Sequence, residues 1–430
     1  MTDAAAIIQL HLSLWSIMDN CLRRALGFIL NWDFSCIMTV CYYEMLKANI
    51  EAGDLKIICI ISPARAGSTF FLNVLAQSPS VHGFINQPFH LTYSYPYVSP
   101  DNREEIAYQR IWKSYQKARK LHNRKIITLV IKCMARNLGI GQQIMRFLRL
   151  IDKTILLIRN PFLSIDSLLK MQVISLEEMP ETSQYNFDRY AAQKGIIDKT
   201  ENGHHWRVLR DRILETKNYR LIADLLIETL AFIELNQYET DMLNDYQYRF
   251  NHQDDGNFNH VFALSWTGWD NMAMIYKQHI SQVVDYLVVD STILRCMPET
   301  VCREVSHALD IGYSSHMIDD WKIVKEEITD DTIIKASWMK SCYDAVTNSL
   351  GIKPAKESPI SIDLFPSIYQ QHILNTAYPS YLALLKDKHT IRPQSHEEIQ
   401  GLLNTTVTED RKVLKQVDPI FAEALLSLSE

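Results

Sequence analysis

A chain of 430 residues, 47% hydrophobic and 22% charged, has the composition of an ordered globular protein with room for one large domain or two small ones. Its formal net charge of −6 excludes broad coating of nucleic acid and confines any anion site to a local pocket. The eight cysteines, at 21, 36, 41, 59, 133, 296, 302 and 342, form no CxxC pair and no disulfide framework, which predicts reduced thiols and a cytoplasmic protein.

Residues 1 to 52 read as two or three helices, an N-terminal extension closed by the Glu51, Ala52, Gly53, Asp54 break. No basic stretch precedes its apolar part, so a secretory leader is not expected. Asp19, Arg23, Arg24, Asp33 and Glu44 interrupt every apolar run before it reaches the roughly 18 residues of a bilayer span. Core packing is therefore expected of 26–45 rather than membrane contact.

The stretch from Leu55 to Gln77 organises the rest of the chain. Ile57 to Ile61 form an uninterrupted, β-branched run suited to a central parallel strand. Ser62 to Gly67 reverse the chain, with Pro63 stiffening the turn and Gly67 allowing close backbone approach. A helix starting near Ser68 would present free N–H groups and its positive dipole end to an anion, beside Arg65 and the hydroxyls of Ser68 and Thr69. The chain reads AGST where a Walker A loop requires GKS or GKT, so the cradle is not that motif.

Beyond a turn at Ser78, Pro79 and Ser80, Val81 to Ile85 predict a second strand. A polar, aromatic loop comes next, with Asn86, Gln87, Pro88, Phe89 and His90 and then Tyr93, Tyr95 and Tyr97. Arg103 to His122 predict a strongly basic helix whose charges form a solvated face. Ile126 to Ile131 predict the next strand, ending in Lys132, Cys133 and Met134 and setting Lys132 beside the cleft at a strand's carboxyl end. A lysine that ends a buried strand needs an anion nearby. A helix at 140–150, a strand at Thr154 to Ile158 and a helix beginning at Pro161 complete the series, with Arg159 between strand and helix and Ser167 eight residues on.

Repeated strand–helix alternation from 55 to 172 gives an α/β, doubly wound parallel sheet. Residues 173 to 262 read as a helical cap inserted into the α/β domain, which spans 53 to 390; a further helix at 266–279, a strand at 286–289 ending in Asp290 and a helix at 298–309 resume the order. Residues 391 to 430 read as a helical tail.

The loop PARAGST and the later run RNPFLSIDS resemble the two cofactor motifs of PAPS-dependent sulfotransferases, in particular their bacterial branch. The stretches LVIKCM, YLVVDSTILRCMPETVCREVSHALDI and SWMKSCYDAVTNSLGI are similar to that branch in the same order, so the resemblance covers roughly residues 55 to 385. It implies a P-loop-like fold, PAPS as donor and PAP as product. It also implies that Arg65, Ala66, Gly67, Ser68 and Thr69 hold the 5′-phosphosulfate and that Arg159 and Ser167 hold the 3′-phosphate. No metal is implied. Charge growing on the departing phosphate oxygen would meet helix N–H groups, Arg65 and Lys132, and the fork of Arg159 suits a second phosphate.

Two departures stand out. Family members carry a catalytic His two residues after the strand lysine, where this chain has Met134, or a Glu in an EP pair, where it has Gln87 before Pro88. His90 is the substitute base in this reading, with His82, His204 and His205 behind it. The expected function is transfer of sulfonate from PAPS to a hydroxyl or amine of a small-molecule acceptor, an aromatic one favoured by the three tyrosines. A PAP- or PAPS-binding protein with lost or altered transfer is the second reading. A kinase or NTPase is a distant third, because no lysine precedes Ser68 and no Mg²⁺ pattern is evident. Neither a nucleic-acid partner nor a transmembrane segment is expected, and the oligomeric state is unreadable.

Overall fold

The computed structural model describes residues 42–90, 100–138, 142–175, 205–222, 266–280, 285–319 and 362–392, with a few residues between them. Among the described residues five strands form one wholly parallel sheet in the order β2-β3-β1-β4-β5. They are β1 (Leu55–Ser62), β2 (Gly83–Asn86), β3 (Ile127–Met134), β4 (Lys153–Ile158) and β5 (Asp285–Asp290). Apart from Lys56, every β1 side chain is buried, as expected of a central strand covered on both faces.

Among the described residues the helices are α1 (42–51), α2 (Ser68–Ala76), α3 (Pro100–His122), α4 (Gln142–Leu148), α5 (Pro161–Ser175) and α6 (His205–Thr216). They continue with α7 (Trp269–Ile275, prolonged by a π-helical turn Tyr276–Ile280), α8 (Ser291–Cys296), α9 (Pro298–Ala308), α10 (Ser367–His372) and α11 (Tyr378–Leu385). The chain passes from β1 outward to β2 and then back to β3. Right-handed crossovers in these opposite senses put α2 and α3 on opposite faces. Side chains agree with this. A Cβ on Gly83 would meet Ala118 of α3, whereas Lys56, of opposite parity, pairs with Asp310 just past α9.

Each sequence-predicted strand and helix between 55 and 172 is present, with shifted ends. β2 begins at Gly83 rather than Val81 because His82 acts as a side-chain rung. Its backbone N–H donates to the Thr128 carbonyl (2.9 Å), and its Nδ1 accepts from the Thr128 N–H (3.0 Å). β3 runs to Met134, so Lys132 lies inside the strand, held by pairing to Ile60 and Asn86. α5 continues to Ser175, past the predicted start of the cap. Of residues 173–262, the rest of the structure described is α6 and a 3₁₀ turn at Tyr219–Ile222. Most of the N-terminal extension, the three tyrosines, His204, the segment around Trp338 and nearly all of the tail lie outside the described residues.

Aliphatic side chains of the sheet, with Phe70 to Leu72 and Val74 and Leu75 of α2, form the core. Phe71 and Leu72 are fully buried, each contributing about 1.5–3 kcal/mol. Cys59, Cys133, Cys296 and Cys302 are in no disulfide; burial is the first cause that pushes the Cys59 thiol up, and it pushes Cys302 up to about 12. No described helix is long and apolar enough to cross a membrane.

Candidate functional site

All five strands end on one edge of the sheet, and two chain exits diverge there. From β1 the chain heads toward β3 and β2, and from β4 it heads toward β5. The crevice of a parallel sheet opens between strands whose exits part in this way. Residues 62–69 follow β1 on this edge and residues 159–161 follow β4, so the crevice lies between the two motifs singled out in the sequence.

In the turn after β1 the backbone enters the left-handed region twice, at Arg65 (φ 59°) and Gly67 (φ 87°). For arginine that conformation costs about 1 kcal/mol, and the surrounding structure holds it. Gly67 is the N-cap of α2 and supplies no side-chain cap. The first helical hydrogen bond runs from the Phe71 N–H to the Gly67 carbonyl (2.9 Å). The N–H groups of Ser68, Thr69 and Phe70 therefore precede the helical ladder, and among the described residues they donate to no backbone carbonyl. Consecutive N–H groups of this kind, at the positive end of a helix dipole, form a concavity suited to an anion.

Three side chains predicted from separate motifs meet here. Arg159 donates from Nη1 to the Arg65 carbonyl (2.9 Å), and Arg65 donates from Nε to Ser167 Oγ (3.1 Å). The turn after β1 is thus tied to the strand end and helix that follow it by 102 residues in sequence. Arg65 leans toward β4 and α5, so its guanidinium joins the Arg159–Ser167 group. Lys132 is 2% exposed and faces the α2 side of the sheet with its register partner Asn86. Its ammonium lies in a part of the core where an isolated charge would be costly.

The cradle is braced by a segment that the sequence marks only as the start of a helix. The Ala64 N–H donates to the Thr267 carbonyl (2.9 Å). Gly268, left-handed at φ 71° and the N-cap of α7, packs against the turn, where a Cβ would make van der Waals contact with Pro63 Cα at 3.5 Å. Thr267 Oγ1 donates to the Leu264 carbonyl (2.8 Å) and so receives a hydrogen from His372 Nε2 (2.8 Å), while His372 Nδ1 lies 3.9 Å from Asp270. These buried groups bolt α7 and α10 to the back of the turn. Asp290, ending β5, caps α8 through the Thr292 and Ile293 N–H groups and accepts from Tyr381 (3.0 Å). The TGWD run, a small residue directly before a helix, was the available signal. Its closeness to Pro63 was not in the sequence.

Gln87, at the position where the family resemblance calls for a glutamate, is 4% exposed and left-handed (φ 50°). Its Oε1 accepts from Asn137 Nδ2 (3.1 Å), its N–H donates to the Lys132 carbonyl (2.7 Å), and its own carbonyl accepts from Arg110 (3.2 Å). The residue is a structural bolt between β2, β3 and α3. His90 ends the 3₁₀ turn Pro88–His90 on the site edge, whereas His82 precedes β2 on the opposite edge, remote from the crevice. His205 begins α6. Arg136, just past β3, stacks its guanidinium 3.8 Å over the Trp266 ring and adds a cation near the β3 side of the cradle.

No protein-family model, no curated protein and no solved structure matches this chain.

Proposed function

We propose that the crevice binds a nucleotide with two separate phosphate groups and that the protein is a sulfotransferase using PAPS as donor. The observation that carries the reading is the junction of Arg65, Arg159 and Ser167 beside the unladdered N–H groups of α2. Two anion-binding elements from different motifs share one crevice, which suits a nucleotide phosphorylated at both ends of its ribose better than ATP.

The residues fit such a donor. The N–H groups of Ser68 to Phe70 would hold the 5′ end, and the Arg159 fork with Ser167 the 3′-phosphate. PAPS supplies an activated sulfonate on a phosphate leaving group. The chain's own part is to neutralise charge on that leaving oxygen with preorganised donors, chiefly the helix N–H groups, with Lys132 reaching up from β3. Arg65 links the two phosphate regions through its bond to Ser167. His90 remains the proposed base for a hydroxyl or amine acceptor.

A second reading, a PAP-binding protein without transfer, is favoured by one specific observation. The buried Gln87 amide is committed to Asn137 and offers no carboxylate to take a proton. Calorimetry with PAP tests both readings against an NTPase. Micromolar PAP binding with no response to ATP and Mg²⁺ is expected, and absence of PAP binding overturns both. Release of PAP from PAPS on addition of phenolic or amine acceptors then separates transfer from binding alone.

A further inference from the structure

The sheet's other edge carries a feature that nucleotide chemistry does not use. Between Ile106 and Ile151 the chain has eleven Lys and Arg residues and no Asp or Glu, in a protein of net charge −6. Part of this charge gathers where α3 ends and β3 begins, at Lys117, Arg119, Lys120, Arg124 and Lys125. Residues 119–126 form an unbroken exposed run. Arg119, Lys120, Arg124 and Lys125 make no ion pair among the described residues.

Cations in the last turn of a helix complement its dipole, which accounts for Arg119, Lys120 and His122. It does not account for Arg124 and Lys125, which lie beyond the helix. Nor does it account for the apolar tips. Leu121 is 67% exposed and Ile126 43% exposed, two of only four large hydrophobic side chains exposed among the described residues. They stand within the same run as the cations. Cations and exposed apolar side chains interspersed along one short run suit a surface that is charged at its face and apolar just beneath.

We propose that this knuckle docks the protein peripherally on an anionic lipid surface, with Lys and Arg on the headgroups and Leu121 and Ile126 entering the interface. Lipid is favoured over a nucleic acid because phosphodiester backbones give a protruding Leu and Ile nothing to bury, whereas the headgroup boundary does. The knuckle lies at the amino-terminal edge of β3, and the crevice lies past its carboxyl end. Eight strand residues, about 26 Å, separate them. A docked molecule would therefore hold its crevice open to water, away from the bilayer.

Co-sedimentation of the full chain with phosphatidylcholine vesicles, with and without about one-third phosphatidylserine at about 0.15 M salt, tests this. Binding is expected only to the anionic vesicles and is lost at about 0.5 M salt. Each cation removed should weaken binding about fivefold, so the triple variant Lys120→Glu, Arg124→Glu, Lys125→Glu should not sediment. Leu121→Ser with Ile126→Ser should weaken binding about tenfold with the cations intact. An unchanged thermal midpoint in both variants, whose altered side chains are exposed, shows that the fold is kept. Sedimentation equal on neutral and anionic vesicles, no sedimentation at all, or triple-variant binding like that of the native chain overturns the proposal. Binding to polyuridylate that exceeds vesicle binding and ignores Leu121→Ser also overturns it, and assigns the patch to a nucleic acid.

Discussion

The two edges of the sheet treat their polar groups differently. On the amino-terminal edge several side chains are paired with a nearby backbone or hydroxyl group. Asp152 accepts from the Ile57 N–H at 2.6 Å, His82 from Thr128, and Asp387 from Tyr276, Tyr286 and His389. Those hydrogen bonds lower the Asp387 carboxyl overall against the opposing, largest effect of burial. Left-handed backbone occurs at both edges, at Gly53 and Asn123 on the amino-terminal one and at Arg65, Gly67 and Gln87 on the carboxyl-terminal one, but only at the latter do we find the first N–H groups of α2 outside the ladder, beside two arginines. N–H groups left outside the helical ladder are the donors that the proposed anion would use. Strain persists where surrounding contacts over-determine it, and here Arg159, Thr267 and Gly268 supply those contacts.

The largest expected effect comes from removing the tie across that edge. Arg159→Ala should weaken PAP binding by tens of fold or more in calorimetry, because a charge-assisted bond to phosphate and the brace on the Arg65 carbonyl are lost together. Unchanged PAP affinity would reject the 3′-phosphate assignment and with it the contrast between edges.

Next is Gly268→Val. The left-handed backbone, and Val methyls beyond a Cβ already in contact with Pro63, should make it cost about 2 kcal/mol in denaturant unfolding, with weaker PAP binding as the cradle shifts. The matched substitution Gly53→Val has the same sign of φ and open space around it. It should lower stability by the backbone cost alone and leave PAP binding intact.

A smaller effect concerns Gln87. Gln87→Ala strands the Asn137 amide in a buried site and should cost about 1–3 kcal/mol of stability. Gln87→Glu keeps the acceptor for Asn137 Nδ2 and should fold. If the second reading, binding without transfer, is correct only for want of a base at this place, Gln87→Glu should raise PAP release from PAPS above the native rate.

The last concerns Glu105 on α3 and pH rather than the site; burial is the main cause that raises its carboxyl to about 7. Its folded-state pKa lies above the unfolded value. The stability it contributes is therefore full below about pH 4.5 and is lost as pH rises through about 7. Glu105→Gln should flatten the fall in thermal midpoint between pH 5 and pH 8, in about that window. A slope identical to that of the native chain would show that the buried acid is not the source.

Much of the fold was legible because its signals are local. A β-branched run such as Ile57 to Ile61 needs burial on both faces, and Pro161 and Gly67 mark helix starts by their own backbone limits. These fix strands, helices and their alternation, and alternation with short connections implies a parallel sheet. The Arg65 position could be picked out because a cation beside a strand-to-helix turn favours an anion, whereas Arg159 and Ser167, whose spacing alone says little, were marked by the family resemblance. Strand ends were less legible. β2 starts late because an imidazole replaces a backbone rung, and that depends on Thr128, 46 residues away.

The sequence by itself determined an α/β chain with an anion-favouring turn and a basic α3. Tertiary structure decided the strand order, which brings β1 beside β4 and so sets Arg65 on Ser167 and Arg159 on the Arg65 carbonyl. It also turned Gln87 from a missing base into a bolt on Asn137 and set the exposed cations and the crevice at opposite edges. The physical reason is that propensity and capping act over a few residues. Hydrogen-bond partners 50 to 102 positions apart are chosen by the packing of the whole sheet.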